Sequence, residues 1–249
     1  MMGLLWAVMV ATALLSGVFG MAGGMILIGV LLVLLPVPDA MALHAVTQMA
    51  SNGWRAALWV RFVQWRIIAP YALGCAAALL LWAVLDFVPD RAVAMLGLGL
   101  SPFAVRLLPP GFQPDAERPR DGGIYGFTCM SLMVLTGVAG PLLDSFFLGG
   151  RLERRQIVAT KAVCQVMGHA LKLLYFGGLV AQAGGVDPVV AGGAILASML
   201  GTTLARRLLE AMTDTQYRLW ANRIIVAIAA FYVVYGGWLM ATGSAAAQP

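Results

Sequence analysis

Long apolar segments follow one another along almost the whole chain, and they limit the fold more than any other feature of the sequence. The apolar blocks run at about 3–36, 40–62, 67–88, 91–108, 122–149, 156–181, 188–205 and 219–241. A run of about 18 or more apolar residues is long enough to cross a bilayer as a helix. Only 11% of the residues are charged, against roughly 25% in soluble domains. The sequence therefore predicts an all-α, polytopic helical membrane protein with no sizeable soluble domain.

The two halves of the chain repeat each other at one offset. GMAGGMIL at 20–27 aligns with GVAGPLLD at 137–144, and LHAVTQMASNGWR at 43–55 aligns with TKAVCQVMGHALK at 160–172. Both alignments need the same shift and no gap, and both halves place a glutamine inside an apolar segment. The polar stretch PPGFQPDAERPRD at 109–121 is typical of a loop. We predict a first membrane repeat at 1–120, including the linker 109–120, and a second at 121–249.

The positions of the arginines predict that the repeats are inverted. If blocks 3–36 and 122–149 were ordinary spans, arginines would lie on both sides of the membrane, against the positive-inside rule. If each block is a hairpin that enters and leaves on one side, the cytoplasmic side receives Arg61, Arg66, Arg106, Arg118, Arg120, Arg151, Arg154, Arg155, Arg206, Arg207 and Arg218. Each half then has about three spans plus one Gly-interrupted re-entrant hairpin. Eight full spans are the alternative.

Glycines interrupt both predicted hairpins at corresponding places. Irregular backbone at membrane depth is tolerated where protein or a water-filled cavity satisfies its polar groups. Interrupted helices in two related halves are also where transporters bind their substrates. We therefore include Gly23 and Gly140 among the candidate substrate-binding residues.

Polar residues form one stripe on each of two apolar helices. On a helix, residues 44, 48, 52 and 55 fall within an arc of about 80°, and residues 161, 165, 169 and 172 fall in an equivalent arc. The stripes contain both histidines and both lysines of the chain, and no acid. Basic groups inside membrane segments are functional candidates, and here they predict an anion site. The candidate residues are His44, Gln48, Asn52, Arg55, Lys161, Gln165, His169 and Lys172.

The same polar residues could also have purely structural roles. Arg55 and Lys172 could extend towards the membrane surface, and the glutamines could tie helices together. His44 and Lys161 begin their helices and could be interfacial. Asp144 is an acid inside a predicted membrane block, so it is a candidate for carrying a coupling proton, for pairing with a stripe lysine, or for lying in water at a bend.

The motifs resemble those of the TauE/SafE sulfite exporter family. The resemblance rests on GMAGG, on Pro36 after the next apolar run, on the glutamine helix and on the turn RFVQWRIIAPYALG, with GVAGPLL and RRQIVATKAVCQ as counterparts in the second half. It covers nearly the whole chain. It implies transport of sulfite, sulfonates and related small anions, often outward. Pro141 stands where the first half has Gly24, so equal roles for the two hairpins are not expected.

Together, the residues and the resemblance predict a secondary transporter that exports sulfite or an organosulfonate. Alternating access, coupled to the proton gradient or the membrane potential, is the expected mechanism. An uptake permease for another small organic anion is the main alternative. A membrane scaffold needs no matched buried charges. An intramembrane enzyme needs a nucleophile–base pair or a metal cluster, which the sequence does not show.

No cofactor, metal or catalytic residue is expected. The cysteines at 75, 129 and 164 lie in apolar segments without metal-binding spacing. The expected partners are a small anion and the lipid bilayer, with no nucleic acid, while a homo-oligomer stays open. The expected location is the bacterial inner membrane, crossed several times.

Overall fold

The structure is a computed structural model, and it describes residues 2–19, 22–107, 114–147, 151–180 and 185–243. Gly20, part of the linker 109–120, and the side chains of Arg106, Arg154, Arg206, Arg207 and Arg218 lie outside the described residues. Over those ranges the regular structure is helical, with no strand, which confirms the predicted all-α class. The helices are α1 (Met2–Phe19), α2 (Ala22–Leu34), α3 (Val37–Leu58), α4 (Trp65–Leu85), α5 (Arg91–Arg106), α6 (Pro119–Thr136), α7 (Gly140–Phe146), α8 (Arg154–Leu174), α9 (Pro188–Ala211) and α10 (Asp214–Thr242). A short 3₁₀ turn at Val60–Phe62 precedes α4, and a π-helical turn at Tyr175–Leu179 ends α8.

Four segments are long and apolar enough to cross a membrane. They are Trp65–Leu85, Arg155–Leu179, Pro188–Ala205 and Asn222–Thr242, and shorter apolar helices accompany them. The 22-residue α3 is long enough but carries the first polar stripe. The chain is thus a polytopic helical membrane protein.

The first apolar block doubles back on itself between α1 and α2. A Cβ placed on Gly23, at the start of α2, would lie 1.9 Å from the Thr12 carbonyl oxygen of α1. In one continuous helix, two residues eleven apart would be separated by about 16 Å along the axis. The block is therefore a hairpin, and glycine at 23 is what lets α2 approach the α1 backbone so closely.

The second apolar block doubles back in the same way between α6 and α7. Gly137 ends α6 with φ +84°, a left-handed conformation that glycine adopts without steric cost, and Pro141 lies in the first turn of α7, where its missing N–H is tolerated. The Tyr125 and Phe146 rings stack at 4.7 Å between centroids, and the Tyr125 and Ser145 hydroxyls are 3.2 Å apart. Because α7 has seven residues, about 10 Å of helix, it does not span a bilayer by itself, which favours a hairpin over a single full span for this block.

Helices of one half pack on helices of the other in a reciprocal pattern. The first helix of each half lies parallel to the fourth helix of the other half, α1 against α9 and α6 against α4. Small residues allow close contacts there: a Cβ on Gly201 would lie 2.4 Å from the Val10 carbonyl, and one on Gly74 would lie 2.0 Å from the Gly123 carbonyl. The remaining long helices pair with their counterparts, α5 with α10 and α3 with α8. The α3–α8 pair lies at the centre of this arrangement.

Candidate anion-binding site

The two polar stripes lie on α3 and α8, and local sequence signals begin both helices. Pro38 in the first turn of α3 has the φ that a helix start requires. Glu153 and Gln156 form a capping box at the start of α8, in which each side chain accepts a backbone N–H of the other. The stripes face inward, since His44, Gln48 and Asn52 on α3 and His169 and Lys172 on α8 are all buried. The two helices run antiparallel, so His44, the first residue of the α3 stripe, contacts Lys172, the last residue of the α8 stripe.

A small cavity lies between the stripes and reaches both hairpin breaks. Its volume is about 30 Å³, above the roughly 10–15 Å³ that a cavity needs to hold one water. None of the described residues that line it is acidic. The lining consists of Ser16, Gly24, His44, Gln48, Asn52, Arg55, Met133, Val138, Ala139, Gly140, Lys161, Gln165 and His169.

Eight of the ten predicted substrate-binding residues line this cavity; Gly23 and Lys172 do not. Gly23 packs α2 on α1, as described above. Among the lining residues, the sequence had not singled out Ser16, Gly24, Met133, Val138 and Ala139. Gly24, Val138 and Ala139 belong to the two glycine motifs, so the motifs held a signal for them. Nothing in the sequence marks Ser16 or Met133 as neighbours of the stripes.

Two polar atoms at the cavity are buried without a hydrogen-bond partner. They are Gln165 Oε1 and His169 Nδ1, and the His169 side chain is 3% exposed. On α3, in contrast, Asn52 Nδ2 donates to the Gln48 carbonyl oxygen at 2.9 Å. A buried polar group without a partner costs free energy, and binding sites are where such groups are expected. The α8 side of the cavity therefore has unused hydrogen-bonding capacity.

Lys161 forms an ion pair with Asp144 of α7 at one end of the cavity. Lys161 lines the cavity. Asp144 contacts Lys161 but is not itself a lining residue. The Asp144 side chain is 40% exposed and the Lys161 side chain 21% exposed. An anion that binds Lys161 would therefore compete with this carboxylate.

Lys172 lies behind the other end of the cavity and is fully buried. Its Nζ is 2.7 Å from His44 Nδ1 and donates to the Gly137 carbonyl oxygen at 2.8 Å. The opposite ring nitrogen, His44 Nε2, is 3.0 Å from the Gly24 carbonyl oxygen. One hydrogen-bonded chain thus joins the start of α2 to the break after α6. Lys172 does not extend to the membrane surface.

The family described as Sulfite exporter TauE/SafE matches residues 5–232. The chain belongs to this family. No curated protein and no solved structure matched the chain. Membership confirms the resemblance stated from the motifs, and it makes this chain a membrane transporter of a family named for sulfite export.

The described part of this TauE/SafE protein holds no group of three or more residues arranged to bind a metal. Cys75, Cys129 and Cys164 are buried thiols and lie outside the cavity lining. The polar side chains that line the cavity are three amides, two imidazoles, two cations and the Ser16 hydroxyl.

A second cavity in this TauE/SafE protein lies beyond His44 and Lys172. It is larger, about 500 Å³, and its lining is small or apolar: Ala42, Ala170, Leu173, Leu174, Gly177, Gly178, Gly185 and Val186. Several of its lining residues are exposed, namely Leu174, Gly177, Gly178 and Gly185, so it is an open apolar groove. Ala170 follows His169 and Leu173 follows Lys172 in the sequence of α8.

Proposed function

We propose that the protein is a secondary transporter that exports a small sulfur oxyanion, sulfite or an organosulfonate. The observation that carries the proposal is the cavity between α3 and α8, which is lined by two cations, two imidazoles and three amides and by no acid among the described residues. Basic groups at membrane depth are functional candidates, and a cavity lined by two of them with no acid among its described lining residues suits an anion. The family name supplies the sulfur chemistry and the outward direction.

In this proposal the α8 residues make the main contacts to the anion. Lys161 supplies positive charge, and His169 Nδ1–H and the Gln165 amide supply directional hydrogen bonds. The unpartnered Gln165 oxygen does not oppose this role, because a half-turn of the amide exchanges its oxygen and its NH₂ group. Arg55 and the start of α2 at Gly24 add positive potential, the latter through its helix dipole. The opposite wall, Gln48 and Asn52, completes the shell.

The size of the cavity supports transport by alternating access. The cavity of about 30 Å³ is small for a four-atom oxyanion, so in this proposal α3 and α8 separate slightly when the anion binds. We propose that the two halves are inverted repeats, as the reciprocal packing of α1 with α9 and α4 with α6 suggests. Rocking of one repeat against the other would open the site to each side in turn.

Flux through proteoliposomes tests this function. Wild-type protein is expected to move sulfite or sulfoacetate down an imposed gradient. Lys161→Ala and Gln165→Ala each remove one contact to the anion, and loss of a hydrogen bond to a charged group costs roughly 1.5–3 kcal/mol, or about a tenfold loss or more. Arg66→Ala removes an exposed cation away from the cavity and serves as the matched control. Intact flux in both cavity variants would show that the anion binds elsewhere.

A further inference from the structure

Lys172 is a fully buried ionisable side chain beside the site, and it does not line the cavity. Its exposed fraction is 0%. It bonds to His44, which lines the cavity. Only the His44 side chain lies between Lys172 Nζ and the predicted anion site along this hydrogen bond. A lysine buried there needs an explanation of its own, because an ionised group in an apolar interior is costly unless it is paired.

The contacts fix where the protons of His44 and Lys172 lie. The Gly24 carbonyl only accepts, so His44 Nε2 carries the hydrogen and donates to it at 3.0 Å. In a neutral imidazole the other nitrogen is then an acceptor. Lys172 Nζ consequently donates to His44 Nδ1 and to the Gly137 carbonyl oxygen.

Two acceptors match the two N–H groups of a neutral amine. A protonated lysine has a third N–H and a charge that needs compensation. The ion pairs found among the described residues are Arg118–Asp115 and Lys161–Asp144, so no described carboxylate pairs with Lys172. The titratable groups near it are His44 from α3 and His169 from its own helix. The α6–α7 break contributes the Gly137 carbonyl, and Gly24 of α2 is linked to Lys172 through His44.

We propose that Lys172 is the proton-coupling residue of the transport cycle, an inference that rests on the proposed function. Lys172 is a neutral amine while the cavity holds no anion. It takes up one proton when an anion enters beside His44, because the anion supplies the missing counter-charge across the imidazole. It releases the proton when the anion leaves. Lys172 thus acts on the anion through His44, and the transported anion moves together with a proton.

Its burial directly behind the polar cavity supports this role. Lys172 bonds to His44, which lines that cavity, and it has no exposed surface of its own. Asp144, the acid considered from the sequence, is partly exposed and already pairs with Lys161, so its charge is compensated without an anion.

Proton uptake on anion binding tests the inference. Sulfite is titrated into the full-length, detergent-solubilised protein in weak buffer with a pH-sensitive dye, and bound sulfite is measured in parallel. The arginine of Lys172→Arg stays protonated at all accessible pH values. Wild type is therefore expected to take up about one proton per bound sulfite more than Lys172→Arg, a difference that cancels any proton exchanged by sulfite itself. A difference below about a fifth of a proton per sulfite would overturn the inference.

Two further measurements keep the outcomes distinct. Lys161→Met removes the lysine at the opposite end of the cavity, and it should weaken sulfite binding while leaving the protons taken up per bound sulfite unchanged. Wild type with sulfoacetate, whose acid groups both stay ionised near neutral pH, needs no variant and should also take up about one proton. If wild type binds an anion without taking up a proton, the role of Lys172 is rejected while the proposed function stands. If wild type binds neither anion, the proposed function is rejected together with it.

Discussion

The two lysines of the chain lie eleven residues apart on α8 and have opposite surroundings. Lys161 lines the cavity and pairs with the partly exposed Asp144. Lys172 is fully buried and bonds to an imidazole and a carbonyl. We therefore assign the two lysines different tasks, with Lys161 binding the anion and Lys172 responding to it.

Asp144→Asn should strengthen anion binding. The neutral amide no longer competes for Lys161, and exposed or partly exposed ion pairs are worth roughly 0.2–1 kcal/mol, so the gain in sulfite affinity should be at most about fivefold. Calorimetric titration of purified protein measures it. Asp115→Asn, which breaks the Arg118 ion pair away from the cavity, is the matched control. Weaker binding in Asp144→Asn would show that this carboxylate supports the site.

At the residue scale the sequence predicted eight residues that line the candidate cavity, but not their contacts. Rarity and helical spacing identified His44, Lys161, His169 and Lys172. Which of them line the cavity depends on two backbone carbonyls of the hairpins. The Gly137 carbonyl accepts a hydrogen bond from Lys172, and the Gly24 carbonyl accepts one from His44. Hydropathy and spacing contain no information on such long-range pairs, so the two lysines could not be told apart.

Among the elements, the two hairpins depend on glycines at different kinds of position. Gly137 supplies a left-handed turn that ends α6, whereas Gly23 supplies a close approach between α1 and α2. The sequence predicted both interruptions from the aligned motifs GMAGG and GVAGP. It did not predict that the second arms of the two hairpins differ in length. The arm α2 has 13 residues, whereas α7, which contains Pro141, has seven.

Gly23→Ala should destabilise the protein. The new Cβ would lie 1.9 Å from the Thr12 carbonyl oxygen, so α1 and α2 must move apart, and such overpacking typically costs 1–3 kcal/mol. In a chain of this length each kcal/mol lowers the unfolding temperature by roughly 2–4 °C, which a thermal melt in detergent detects. Gly237→Ala on α10, where a Cβ would meet no atom within 4 Å, should leave the temperature unchanged or raise it. Equal melts for the two variants would contradict the close α1–α2 contact.

The second hairpin also predicts a membrane topology. Arg118, before α6, and Arg151, before α8, are both exposed and should lie on the cytoplasmic side. Single cysteines at these positions should react with a membrane-impermeant maleimide only from that side. A cysteine in place of the exposed Asp90, at the start of α5, should react only from the other. Labelling of the two arginine positions from opposite sides would mean that residues between them cross the membrane fully.

At the scale of the whole molecule, the reciprocal packing brings the two polar helices, α3 and α8, against each other. The sequence predicted this from one offset and one stripe per half, because a repeated polar helix meets its own counterpart when two related halves pack together. The cavity volume and the second cavity beyond Lys172 could not be predicted, since both depend on how closely α3 and α8 approach.

Locating a bound anion tests the central claim most directly. Selenite, the heavier analogue of sulfite, scatters X-rays anomalously, so crystals of the full chain soaked in selenite would show where it binds. The expected result is a peak between α3 and α8 within hydrogen-bonding distance of Lys161 Nζ and the Gln165 amide. A peak outside this cavity, or no peak in crystals of protein that transports selenite in liposomes, would contradict the proposed site.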